Sequence, residues 1–307
     1  MRLVHFAFLG VLGSAAVAPT TEIAPGVHMP QINLGTCACW SVLCDAALNN
    51  SRAILYSLAN SFLTPFRLCS GSLGNGKPSD PSVGVPVWLA AGAVGIDCAF
   101  DYFNQAKVAA AVKASGVPRS SIFYTTKVPG ILSSLTIVQD DLKQLGLEQV
   151  DLVLLHMPLD VEAQWKGLEQ ALAQNLTRAI GISNFNSEQI EDLLKIATVV
   201  PAVNQCSMGV ASHDDATIAT CAKHNITYEA YGTMKGCNFS SPVISKIGTS
   251  HNKSAAQVCL RYIIDRDAVI AVGTGSSTDD AKMYTPEDLD IFDFQLSKDE
   301  MATLNAL

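Results

Sequence analysis

Gly95-Ile96-Asp97-Cys98-Ala99-Phe100-Asp101-Tyr102 carries a short apolar run onto a carboxylate and then, five positions on, to a phenol. Ala93-Val94-Gly95-Ile96 reads as a buried strand ending at Asp97, with Tyr102 in the turn beyond it. Two later runs end on an ionisable residue in the same manner. Ile122-Phe123-Tyr124-Thr125-Thr126 stops at Lys127, and Val150-Asp151-Leu152-Val153-Leu154-Leu155 stops at His156. Successive strands that deliver chemistry at their C-terminal ends are the habit of a (β/α)8 barrel.

The four side chains form a coherent acid–base set. A free tyrosine titrates near pH 10, too high for easy proton donation at neutral pH. A neighbouring Lys127 ammonium is expected to pull the Tyr102 phenol down, with Asp97 holding that ammonium charged and in place. A neutral His156 orients a carbonyl oxygen or relays a proton. Taken singly, Lys127 and Asp97 read equally well as a strand-end ion pair, and Tyr102 as a rim aromatic. The case rests on their occurring together on sequential strands.

Working outward, eight short apolar segments alternate with helical patterns. They are Ile32–Thr36, Val94–Asp97, Ile122–Thr126, Val150–Leu155, Ala179–Ser183, Ala202–Gln205, Thr227–Tyr231 and Ala268–Val272. Alternation of this kind implies a parallel sheet, and eight strands imply closure. Asp80-Pro81 starts a helix that Pro86 should kink and Gly92 should end. Asn186 with Gln189, Ser212 with Asp215 and Ser254 with Gln257 read as capping boxes. Residues 38–78 are extra relative to a simple strand–helix–strand unit, with an apolar run (Ala46–Phe66) and a Gly/Ser-rich tail. This insertion after the first barrel strand is either a lid on the catalytic face or translated intronic sequence. Gly71–Lys77 nearly spells a phosphate loop, but Pro78 stands where Ser or Thr is required, so it reads as an ordinary loop.

The chain resembles the aldo-keto reductase family. Gly95–Tyr102, Ser115-Gly116-Val117-Pro118-Arg119, Thr125-Thr126-Lys127, Leu154-Leu155-His156-Met157-Pro158, Arg178–Phe185 and Val203-Asn204-Gln205 carry the likeness, in order. It covers nearly all of residues 79–307, plus a short piece at 26–36. It implies an NAD(P)H-dependent carbonyl reductase on a TIM barrel, with Asp97, Tyr102, Lys127 and His156 catalytic. It further implies that Ser183, Asn184 and Gln205 bond the nicotinamide carboxamide, and that Tyr231 stacks on its ring. The family commonly places a Lys after the eighth strand and an Arg soon after to hold the 2′-phosphate of NADP. Here Gly273-Thr274-Gly275-Ser276-Ser277 follows instead. NADP is therefore expected from Ser276, Ser277 and Lys282, with NAD left open. Cys37 and Met157 stand where pocket tryptophans are common, and residues 127–140 are short for the family, so the substrate does not carry over. A cofactor-binding barrel serving as a sensor or regulatory subunit is the competing reading.

Composition sets the remaining bounds. The chain has 307 residues, 49% of them hydrophobic and 16% charged, with a net charge of −8. That is enough for one large barrel, and it argues against nucleic-acid or anionic-membrane partners. The expected partner is a small carbonyl substrate, and the expected state a monomer. Residues 1–18 read as a signal peptide too short to span a bilayer, leaving 19–307 as one barrel domain and placing the protein in the secretory route, with the cytoplasm as the alternative. Sequons at Asn49, Asn175, Asn225, Asn238 and Asn252 are compatible with that route. Of nine cysteines, Cys37, Cys39, Cys44 and Cys69 cluster and could form two bridges. Cys98, Cys206, Cys221, Cys237 and Cys259 are expected as buried thiols, and no spacing resembles a zinc site.

Overall fold

In a computed structural model, residues 18–37 and 80–307 are described. The signal-like segment, the 38–78 insertion with its near phosphate loop, Asn49, Cys39, Cys44 and Cys69 lie outside them. The chain enters through an antiparallel hairpin, β1 (Thr20–Ala24) and β2 (Val27–Pro30). Its turn is Pro25 followed by Gly26 at φ +71°, the residue pattern of a type II turn. Ile23, Val27 and Met29 pack with Phe123, Leu152, Leu154 and Val203, closing one end of the barrel with apolar side chains.

Eight parallel strands follow: β3 (Ile32–Gly35), β4 (Gly95–Asp97), β5 (Phe123–Val128), β6 (Val150–Leu155), β7 (Thr177–Ser183), β8 (Val203–Ser207), β9 (Thr227–Tyr231) and β10 (Val269–Val272). They close in the order β10-β3-β4-β5-β6-β7-β8-β9, so the expected eight-stranded barrel is present. Outside it run α1 (Pro81–Ala90), α2 (Gln105–Ser115), α3 (Ser134–Leu145), α4 (Val161–Ala173) and α5 (Ser187–Leu194). They are followed by α6 (Asp215–Lys223), α7 (Pro242–His251), α8 (Ala255–Ile264), α9 (Thr278–Leu289) and α10 (Lys298–Asn305). No helix among the described residues is long and apolar enough to cross a membrane.

Strand alternation decides what faces inward. Along β5, Phe123 joins the inner apolar cluster and Lys127 points into the mouth, while Tyr124 and Val128 pack with the outer helices. Lys127 therefore lies within its strand rather than just past it. Asp80 caps α1 through Ser82 N, and the helix runs on through Pro86. The capping boxes at Asn186/Gln189 and Ser254/Gln257 form. Ser212 does not cap α6: the nearer Asp214 accepts from Thr217 N and starts the helix, and Ser212 is drawn into a bridge with Gly209. Cys98 and Cys221 are buried thiols and Cys206 is half-buried. Cys237 and Cys259 are instead joined in a disulfide, because the turn after β9 packs against α8 and brings their Cα atoms to 6.0 Å. Cys37 is disulfide-bonded as well.

Candidate active site

Asp97 closes β4, and the short 3-10 turn Phe100–Tyr102 swings the phenol back over the strand ends. Lys127 Nζ ion-pairs with Asp97 Oδ1, donates to the Cys98 carbonyl at 3.0 Å and lies 3.5 Å from Tyr102 Oη. His156 follows directly on β6, with its ring edge-on to Tyr102 at 5.8 Å between centroids. The four residues named from strand ends thus share one mouth.

The Tyr102 phenol is not lowered as expected. Burial raises it, and the opposing pull of Lys127 is the smaller effect, with Asp97 and Asp101 pushing the same way as burial. A fully protonated phenol results, which suits a donor. Burial also works against the charge on Lys127, yet Asp97 and Tyr102 hold the ammonium above its ordinary value.

Asp101 went unremarked in the sequence. Its Oδ1 lies 3.0 Å from His156 Nδ1, and despite burial His156 holds this carboxyl below its ordinary value. A carboxylate only accepts, so Nδ1 carries the hydrogen and Nε2 is left for the mouth. The available signal was its place beside Tyr102, in the turn that follows an apolar strand.

Ser183 ends β7, and Asn184 follows it directly. Ser183 is fully buried and donates to the Gln205 carbonyl at 2.8 Å. Asn184 adopts φ +64°, a conformation Asn tolerates better than most side chains. Its Nδ2 donates to the His156 carbonyl at 2.9 Å, and its Oδ1 accepts from Tyr231 Oη at 2.8 Å. Gln205 is turned into the barrel: its Nε2 donates to Asp97 Oδ2 at 2.8 Å and to Glu229 Oε2 at 2.7 Å. Both amide hydrogens are thereby used, leaving only Oε1 to meet a carboxamide. Ser277 is an exposed N-cap of α9, bonded to Asp280 N at 3.0 Å, and Ser276 is half-buried. Lys282 is exposed on α9 and does not line the nearby trough.

That trough is open and lies past the C-terminal ends of β9 and β10 and against α9. Gly232, Thr233, Ala271, Gly273, Tyr284 and Asp288 line it. Loops after the seventh and eighth strands are where barrels of this type commonly take phosphates. Burial, reinforced by Glu287, raises the Asp288 carboxyl well above its ordinary value. Beside Gly273, Thr274 Oγ1 is buried with no hydrogen-bond partner among the described residues. A dinucleotide fits this mouth: a ring end near Tyr231 and Asn184, and a trough for the remainder.

The family model described as Aldo/keto reductase family matches residues 85–307. The chain belongs to this family. A Mycolicibacterium vanbaalenii aldo-keto reductase is 35% identical over 246 residues, covering 76% of this chain and 86% of the relative. An aldo/keto reductase structure from Brucella melitensis superposes with a TM-score of 0.74 at 26% identity, over 94% of this chain and 99% of that one. A Bombyx mori aldo-keto reductase crystallised in complex with NADP gives 0.74 at 26% identity, over 94% and 92%. This aldo-keto reductase is accordingly an oxidoreductase.

Proposed function

We propose that the protein is an NADP-dependent carbonyl reductase in which Tyr102 is the general acid. The observation that carries this is the convergence of Tyr102 Oη, Lys127 Nζ and Asp97 Oδ1 at the barrel mouth, with His156 beside them. Relatives solved with NADP and NADPH support the choice of cofactor. When bound, such a cofactor supplies a hydride to carbon. Ser183, Asn184 and Tyr231 would hold its ring, and the β9–β10 trough its remainder.

This chain's own work is to handle the oxygen. As the carbonyl carbon gains a hydride, its oxygen gains negative charge and takes the Tyr102 hydroxyl proton. Lys127 stabilises the phenolate left behind, and Asp97 keeps Lys127 charged through the step. His156, with Nδ1 held by Asp101, presents Nε2 to the substrate oxygen or to a water bound to it. Tyr102→Phe should lower kcat with NADPH and a generic aldehyde roughly a thousandfold. NADPH affinity by fluorescence titration should stay unchanged. Surviving turnover would remove Tyr102 from the role.

The disulfide between Cys237 and Cys259 supports passage of the chain through an oxidising compartment. Asn238, the sequon residue next to it, is exposed. Loss of a glycan on glycosidase treatment of protein made in a eukaryotic secretory host tests this placement; an unshifted mass would count against it.

A further inference from the structure

We propose that Glu229 is a positioning residue for carbonyl reduction: a second carboxylate facing Lys127 whose ionisation weakens Tyr102 as a proton donor and so sets the alkaline limit of the reaction. This rests on the carbonyl-reductase reading above.

Glu229 is the middle residue of β9 and is wholly buried inside the barrel. Its placement is built rather than incidental. Gln205 Nε2 donates to Glu229 Oε2 and, with its other hydrogen, to Asp97 Oδ2. Asn33 Nδ2 reaches Glu229 Oε1 at 3.3 Å from β3. Gly95 is what admits Asn33: a Cβ at Gly95 would lie 1.9 Å from Asn33 Oδ1. One amide thus ties together two carboxylates, of which Asp97 ion-pairs with Lys127 and Glu229 interacts with it electrostatically.

The groups facing Glu229 from the packed strands are few. Asp97 on β4 and Lys127 on β5 are the charged ones, with neutral Gln205 on β8 and Asn33 on β3. With Glu229 protonated, Lys127 and Asp97 balance. With Glu229 ionised, two negative charges face one positive charge in a buried site, where bulk solvent screens them little. The surplus negative charge disfavours a phenolate at Tyr102, which Lys127 and Asp97 also touch electrostatically. Proton donation becomes harder and reduction slows. Burial, then Asp97, pushes the Glu229 carboxyl up to about 8, so the change falls within the working range of an assay.

The same group leaves a mark on stability. A carboxyl raised in the fold holds its proton more tightly there than in the unfolded chain. The stability this confers is fully present below the ordinary value of 4.5 and is lost as pH rises to about 8.

The experiment measures kcat/KM for a generic aldehyde with NADPH, and the thermal midpoint, from pH 5 to 10. It uses the full chain and Glu229→Gln, which keeps the shape and removes the charge. The expected wild-type result is a fall in kcat/KM centred near pH 8, from a higher plateau at low pH to a lower one at high pH. The thermal midpoint should decline over a window ending at the same pH. Glu229→Gln should move the alkaline fall up by about one unit or more while leaving kcat/KM at pH 6 within about threefold. An unmoved alkaline limb in a folded, active Glu229→Gln protein overturns the role of Glu229 alone. Absence of turnover in the wild type overturns the reductase reading and this role with it. If the variant does not fold, the wild type still decides, because an alkaline limb and a stability window that do not coincide overturn the proposal.

Discussion

Near the hairpin, the inward positions of the barrel strands are Phe123, Leu152, Leu154, Ala179 and Val203, sealed by Ile23, Val27 and Met29. Toward the C-terminal ends of the barrel strands they are Asp97 on β4, Lys127 on β5, Gln205 on β8 and Glu229 on β9. Both ends are almost entirely buried. The apolar end holds together by exclusion of water and has no partner requirements. At the charged end each group depends on another: Lys127 on Asp97, Asp97 on Gln205, Glu229 on Gln205 and Asn33. Burial is the common condition, but at one end it stabilises the fold and at the other it sets the protonation of Tyr102 and Glu229. A single parallel sheet can carry both because the pleat lets each strand change character every second residue.

The comparison breaks most completely at Lys127. Lys127→Met leaves the Asp97 carboxylate buried and unpaired, which should cost about 3–5 kcal/mol of stability, and turnover should be lost with it. Urea unfolding at neutral pH and a single-turnover assay check both. Leu152→Ala is the converse. A fully buried leucine in the inner cluster should cost about 2–5 kcal/mol, while kcat/KM of the folded fraction stays near wild type. A large fall in kcat/KM there would mean that the two ends are coupled. Reduction of the Cys237–Cys259 disulfide, which spans 22 residues, should lower stability by about 2–4 kcal/mol, read as a drop in thermal midpoint on adding dithiothreitol. The smallest effect is expected from Asp101→Asn, which removes the acceptor charge from His156 Nδ1 while keeping the shape. It should lower kcat by about tenfold to a hundredfold with little change in unfolding free energy. Retained kcat would show that His156 needs no anchor.

How much of this was legible beforehand follows from range. Asp97, Lys127 and His156 each end an apolar run, and that is a local signal. The capping boxes at Asn186 and Ser254 are local too, since cap and partner are three residues apart. Ser212 misled because two plausible caps, Ser212 and Asp214, stand two positions apart and only the entering chain chooses between them. Glu229 carries a local signal: a carboxylate at the centre of an otherwise uncharged strand, Thr227-Tyr228-Glu229-Ala230-Tyr231. The disulfide had none, since nothing local relates Cys237 to Cys259.

Order, periodicity and strand-end chemistry were therefore determined by the sequence alone: eight parallel strands, closure, and a mouth of ionisable side chains at their C-terminal ends. The tertiary structure alone decided the direction in which the Tyr102 phenol moves, the orientation of Gln205 inward, the Asp101–His156 pair and the tie of Glu229 to Asp97 through Gln205. The physical reason is that a proton affinity reflects the balance between burial and neighbouring charge, and both depend on residues brought together from distant strands.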